Sequence, residues 1–231
     1  MKDSSEYIMP VFAVSGVDGA GHTQRRFVGS CFLVESPNTV VTCRHVLEPL
    51  MDGYDFYVHH FKTVSWHKVS DIWFHPKADI AVASVPNFGA KVMVPFAGSL
   101  TLGGDVAVFA YQGDATDDGS FALLPSVSKG HIVSQPVGLV NLMAGFGIYM
   151  LSFPSLPGFS GAPVEVFGSD HFVGMLFNNK QTEVTVFSHE EVQNGGLVWK
   201  ERVARVQEYG LMIGYGEVLA ALKMRTNAAS I

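Results

Sequence analysis

The chain has 231 residues, of which 48% are hydrophobic and only 16% charged, and it carries a net charge of −6. Such a composition is too apolar and too weakly charged for a disordered chain. It is also too acidic, and too poor in Lys and Arg, for a protein that grips a nucleic-acid backbone. The length allows one large or two small domains with a proper core.

At the N-terminus, Lys2 is followed closely by Asp3 and Glu6, and no uninterrupted apolar region leads to a small-residue cleavage site. No secretory signal is expected from that pattern, which predicts a cytoplasmic protein with Cys31 and Cys43 reduced. Short β-strands bounded by turn residues dominate the rest of the chain. Residues 26–34 and 39–43 read as strands flanking the turn formers Ser36, Pro37 and Asn38. Cys31 and Cys43 are equidistant from Pro37. A turn centred there would set them across from each other, which leaves a disulfide open beside the default of two buried thiols. Residues 54–59 and 79–85 complete the strands of the first half.

Pro86, Gly89, Pro95 and Gly98 then punctuate residues 85–98, the best candidate linker between two strand-rich halves. The second half predicts strands at 105–111, 149–153, 163–167, 171–177 and 182–187. Residues 130–164 contain no Asp, Glu, Lys or Arg, but Gln135, Pro136, Asn141, Pro154 and Pro157 interrupt the run. Strands buried on both faces explain it better than a membrane span. The charged stretch 183–208 reads as a solvated excursion between late strands, with a weak helical pattern inside 200–207. A convincing helix is predicted only at 217–224. Many short strands with one late helix indicate an all-β barrel or sandwich.

Three local patterns carry chemistry. In Val40-Val41-Thr42-Cys43-Arg44-His45-Val46 a strand delivers a histidine at its end. In His75-Pro76-Lys77-Ala78-Asp79-Ile80-Ala81 an aspartate opens a buried strand. In Pro157-Gly158-Phe159-Ser160-Gly161-Ala162-Pro163 a serine sits in a glycine-flanked turn before a strand. A serine hydroxyl is a weak nucleophile at neutral pH unless an imidazole takes its proton during attack. A carboxylate bonded to the other ring nitrogen holds the imidazole in the useful tautomer. Gly158 can adopt angles closed to other residues, so its N–H and that of Ser160 can converge on a developing oxyanion.

These residues resemble the chymotrypsin-like serine peptidases, most closely the bacterial HtrA/Deg-type branch. Gly29-Ser30-Cys31-Phe32-Leu33-Val34 is similar to the family's GSGF(L/V)V strand, and His45 and Asp79 lie in its T-x-x-H-V and H-P-x-x-D-I-A contexts. Gly104-Asp105-Val106 resembles its G-E-x-V strand, and Ser126–Ser134 resembles T-V-T-x-G-I-V-S. The turn 157–163 resembles P-G-N-S-G-G-P, and Val173-Gly174-Met175 resembles the V-I-G beside the substrate. The resemblance implies an all-β double barrel of the chymotrypsin type with a short C-terminal helix. It implies one protease domain over 1–231, with barrels at 1–90 and 99–216 and the helix at 217–224. His45, Asp79 and Ser160 would be catalytic, with the N–H groups of Gly158 and Ser160 as the oxyanion hole.

The sequence departs from the family in several places. Phe159 stands where trypsin-like zymogens carry the aspartate that captures a freed N-terminus, so that activation route looks closed. Ala162 replaces the second glycine of S-G-G, and Phe177 stands where many relatives place a hydroxyl near the aspartate. No PDZ-like pattern is seen after the last helix. Pro154 argues against basic specificity and Leu176 against acidic or Gln specificity. Leu176, Phe177 and Ile213 predict an apolar S1 pocket, and the backbone of 177–179, with Asn178 and Asn179, would pair with substrate as an added strand.

No cofactor is expected. His59, His60, His67 and His75 form a loose cluster without metal-ligand spacing, so no metal is expected either. The expected partner is a peptide or protein substrate, with no nucleic acid and no membrane. The rival function is a chymotrypsin-fold module that binds extended peptides without cutting them.

Overall fold

The computed structural model describes residues 6–17, 23–48, 53–115, 121–134, 147–169, 171–193 and 196–228. Parts of the charge-free run, 135–146 with Asn141, lie outside them. The described chain forms two seven-stranded sheets, as expected of an all-β chymotrypsin-type double barrel.

The first sheet contains β1 (Ile8–Val17), β2 (Thr23–Leu33), β3 (Thr39–Thr42), β4 (Asp55–His60), β5 (Ser65–Lys68), β6 (Ser70–Phe74) and β7 (Ala81–Ser84). Their order is β5-β4-β1-β2-β3-β7-β6. The edge strands β5 and β6 are separated in sequence by Val69 alone, so the sheet must curl until its edges approach. Val69 is buried at the seam and donates its N–H to Phe56 O at 2.8 Å. Along β4 burial alternates, with Phe56, Val58 and His60 turned inward. This is the period of two that a half-buried strand requires.

The second sheet contains β8 (Val94–Pro95), β9 (Asp105–Ala115), β10 (Phe121–Ser134), β11 (Ile148–Leu151), β12 (Pro163–Val166), β13 (His171–Gln193) and β14 (Gly196–Gly214). The order β12-β9-β10-β11-β14-β13-β8, with β12 also paired to β13, closes this sheet on itself. Phe159, Leu151, Val164, Val173, Leu176 and Met212 fill its interior.

The expected linker stitches the halves together. Met93 donates its N–H to Leu33 O at 2.8 Å, while Val94 and Pro95 pair with His171 and Phe172. Helix α2 (Tyr215–Ala228) starts earlier and ends later than expected, and buries Val218, Ala221 and Leu222. Its Arg225 reaches back to Ser84 Oγ at 2.6 Å, tying the end of the helix to the first sheet.

The structure corrects two expectations and decides the cysteine alternatives in favour of the default. Residues 200–207 are strand, because β14 pairs with β13 along its whole length, and backbone pairing overrides the weak helical spacing. The charged excursion is therefore the hairpin of β13 and β14 itself, in which residues 181–189 are exposed, as are most of 202–208. Cys31 and Cys43 are free and buried. The β2–β3 register pairs Phe32 with Val41, so the two cysteines are one residue out of opposition. In a strand that slip sends the side chains to different faces. No helix among the described residues is long and apolar enough to cross a membrane.

Candidate active site

His45 lies in a one-turn helix, α1 (Arg44–Leu47), rather than at the strand end itself. Strand β3 stops at Thr42, Cys43 remains extended, and the turn buries Val46 and Leu47. Arg44 and His45 are thereby left facing outward. The His45 ring Nδ1 lies 2.6 Å from Asp79 Oδ2, and the His45 backbone N–H donates to Asp79 Oδ1 at 2.9 Å. One carboxylate oxygen thus fixes the backbone and the other orients the ring. A carboxylate only accepts, so Nδ1 carries a proton, and it is the neutral form of this tautomer that offers a lone pair at Nε2. The Asp79 side chain is 17% exposed and that of His45 47%, so the pair is sheltered at its anchor and open at its tip.

Asp79 precedes β7 in a tight turn organised by His75. The His75 Nδ1 accepts the N–H groups of Ala78 at 2.8 Å and Lys77 at 3.1 Å. The His75 N–H itself donates to Ile80 O at 2.9 Å. A ring nitrogen that accepts two amides must be unprotonated, and burial pushes this imidazole's pKa down accordingly. His75 therefore belongs to the site's scaffold. The other expected histidines serve the first sheet: His67 stacks on Phe88, His59 packs on Trp66, and His60 bonds Thr63.

The turn carrying Ser160 is held from both barrels. Phe159 N–H donates to Leu156 O and Ala162 N–H to Phe159 O, each at 2.9 Å. Gly161 N–H donates to Leu176 O, also at 2.9 Å. From the first barrel, Ser30 donates its N–H to Ser160 O at 2.9 Å and its hydroxyl to Gly158 O at 2.8 Å. The N–H groups of Gly158 and Ser160 have no acceptor among the described residues. Gly158 has φ +92°, and a Cβ there would lie 2.4 Å from the Phe27 ring and 2.5 Å from Tyr111 O. Gly161 has φ +86°, and a Cβ there would lie 2.1 Å from Ser30 O. Neither position admits a side chain. Phe159, in contrast, is fully buried in the second barrel.

An open cleft of about 760 Å³ is lined by His45, Asp79, Ser160, Phe177, Asn178 and Asn179, together with Ser155, Leu156, Pro157 and Glu208. Gly158 faces an adjoining hollow of about 180 Å³ with Phe27, Val28, Gly113 and Pro157. Three residues expected on the substrate side, Pro154, Leu176 and Ile213, lie elsewhere. Leu176 and Ile213 are fully buried, and Pro154 does not line the cleft. The reason is the strand period: Leu176 bonds the serine turn and points into the barrel, so its neighbour Phe177 turns to the cleft. The cleft wall is instead closed by Asn179, whose Nδ2 donates to Ser155 O at 2.6 Å and whose Oδ1 accepts the Ser155 N–H. Ser155, Glu208, Ser30 and His75 join the site without having been expected there. Ser30 and His75 lie inside sequence motifs without a role assigned to them, Glu208 lies in the charged run, and Ser155 has no sequence signal.

Cys43 Sγ, His45 and Asp79 offer ligand atoms within 4.8 Å of one another. Burial, reinforced by the negative charge of Asp79, pushes the Cys43 thiol's pKa far up, and the thiol hydrogen-bonds Leu176 O at 3.4 Å. A cation there would have to strip that proton and take over the His45–Asp79 contact.

Known proteins share parts of this arrangement. A family model described as a trypsin-like peptidase domain matches residues 29–175. No curated protein sequence matches the chain. Among solved structures, the HtrA-type protease AlgW with a decapeptide superposes with TM-score 0.67 at 12% identity, covering 96% of this chain and 65% of AlgW. The active form of the Rv3671c protease from M. tuberculosis superposes with TM-score 0.60 at 17% identity, covering 95% of this chain and 81% of that one. Its inactive form gives TM-score 0.58 at 17% identity, covering 96% and 89%. At these identities the likeness is one of fold.

Proposed function

The chain belongs to the trypsin-like peptidase family of serine proteases, and we propose that it is an endopeptidase with Ser160, His45 and Asp79 as its triad. The observation that carries this reading is the two-point grip of Asp79 on His45, in a cleft that also contains Ser160. Ser160 Oγ attacks the carbonyl carbon of a peptide bond while His45 Nε2 takes the hydroxyl proton. The N–H groups of Gly158 and Ser160 receive the oxyanion, an interaction worth ~3–4 kcal/mol per donor in such sites. The intermediate collapses to an acyl-enzyme as His45 returns the proton to the leaving amine. Water then attacks the ester with His45 again as base.

On this reading one domain holds both barrels, the first within 1–90 and the second running from β8 through β14, with helix α2 (Tyr215–Ala228) behind them. The substrate is an extended peptide, a mode consistent with the decapeptide named for AlgW. Phe177 supplies an apolar wall, while the Asn179–Ser155 clamp shortens the pocket and gives it a polar side. Small or medium apolar P1 residues fit that shape better than charged ones. Free, buried thiols fit the reducing cytoplasm expected from the sequence. Phe177 in place of a supporting hydroxyl is the observation that favours the rival binding module.

Cleavage of a peptide library separates the two. Wild type should cut after small apolar residues, and Ser160→Ala and His45→Ala should not cut. Cleavage retained in Ser160→Ala, or a profile dominated by Arg, Lys or Glu at P1, would overturn the assignment.

A further inference from the structure

Strand β13 begins inside the barrel and ends far outside it. Its inner part is covered on both edges: Met175 pairs with Pro163 of β12, and His171 with Val94 of β8. From Asn178 onward it pairs only with β14, through to Gln193 opposite Gly196. The other edge carries no strand among the described residues. Its start is the cleft wall formed by Phe177, Asn178 and Asn179. Asn179 shows which backbone groups face that edge. Its N–H is bonded by the side chain of its own neighbour, Asn178 Oδ1 at 2.8 Å, and so points away from β14. Backbone groups alternate along an antiparallel strand, so those of Gln181, Glu183 and Thr185 face the same way. Register with β14 is unbroken from Asn178 to Thr185, and the next shift lies between Thr185 and Phe187.

We propose that this edge is an extension of the substrate-binding strand, which captures the segment N-terminal to the cleaved bond in β-conformation out to about nine residues. The proposal rests on the cleft reading above. The occupant is an extended peptide because the edge runs without a break into the cleft that holds Ser160. A strand added antiparallel to β13 has its N-terminus toward the arm tip, so the N-terminal side of the substrate lies along the arm. With P1 opposite Phe177 and P3 opposite Asn179, P5, P7 and P9 fall opposite Gln181, Glu183 and Thr185. The run from Asn179 to Thr185 spans about 20 Å at ~3.4 Å per residue. Main-chain bonds supply the affinity in such additions, and side chains of alternate residues supply the selectivity. The arm itself benefits, since a lone two-stranded ribbon is marginal in water and this one leaves Val184 and Phe187 exposed.

The test uses full-length Ser160→Ala and fluorescein-labelled (Thr-Val)4-Ala, with Ala at P1, against its three-residue truncation. The nonapeptide should bind at least tenfold more tightly. N-methylation at P5 or P7 should each cost about fivefold, the worth of one backbone bond, and at P4 or P6 nothing. Glu183→Pro removes one edge N–H and spares those facing β14. It should weaken the nonapeptide about fivefold and leave the truncation unchanged. Equal affinity of the two lengths, no binding by either, or equal loss at odd and even positions overturns the proposal. So does concentration-dependent dimerisation that the nonapeptide fails to reverse, which would assign the edge to a second copy. Fluorophosphonate labelling of wild type is read separately. Labelling without length dependence sinks the arm alone, and alternation without labelling sinks the catalytic reading alone.

Discussion

Phe159 offers the sharpest test of how the serine turn is held. Its side chain is fully buried among Leu151, Val164, Leu176 and other members of the second core, one residue from the candidate nucleophile. The resemblance places here an aspartate that pairs with an N-terminus once it is freed, whereas in this chain the anchor is apolar packing. Phe159→Ala removes a buried ring and leaves a cavity, which typically costs 3–5 kcal/mol. For a chain of this length each kcal/mol moves Tm by roughly 2–4 °C, so a fall of about 6–20 °C is expected. Differential scanning calorimetry measures it, with Ser160→Ala as the adjacent control that should melt like wild type. Well below the new Tm, the rate of fluorophosphonate labelling should also fall, because the Gly158 and Ser160 amides lose their common anchor. Should Phe159→Ala melt within about 2 °C of wild type and label at the normal rate, the packing account of this turn is wrong, and its backbone hydrogen bonds with those from Ser30 would have to hold it.

The same geometry sets three further outcomes. Asp79→Asn keeps a side chain of the same shape but can donate to His45 Nδ1, favouring the wrong tautomer; turnover should fall by roughly 10⁴ while the melting curve barely moves. Gly158→Ala forces a Cβ against Phe27 and Tyr111 O at positive φ, so turnover should fall ~10²–10³-fold through the displaced oxyanion donor, with some loss of stability. Burial lowers the pKa of His59, His60, His67 and His75, so the unfolded chain takes up protons first as pH falls. Their contribution is complete above about pH 6.5 and declines below it. Urea midpoints should therefore drop between pH 7.5 and pH 5.5, whereas Glu6, held at about 2 by Lys62 and Lys91, titrates well below that window.

The candidate triad is legible in the sequence because each of its residues sits in a local pattern with a local cause. A glycine on either side of Ser160 signals a turn that only glycine can make, and the clash distances at Gly158 and Gly161 bear that reading out. The cleft wall is less legible, because it depends on which of two adjacent residues, Leu176 or Phe177, faces the cleft. That phase is set by the bond from Gly161 N–H to Leu176 O, a long-range contact with no local signature. The arm hides for a similar reason. Its first limb reads as a strand at 182–187, but the weak helical spacing of 200–207 masks the second, which becomes strand only through pairing with β13. His75 sits in the motif before Asp79 in sequence, but its role as the acceptor that folds that turn shows only in the structure.

The central claim is that Ser160 is a nucleophile activated by His45. Fluorophosphonate labelling with intact mass and peptide mapping tests it most directly. One adduct per chain, mapped to Ser160, lost in Ser160→Ala and strongly slowed in His45→Ala, is the predicted result. A folded wild-type chain that binds peptides but takes no label, or takes it at another residue, would contradict the claim.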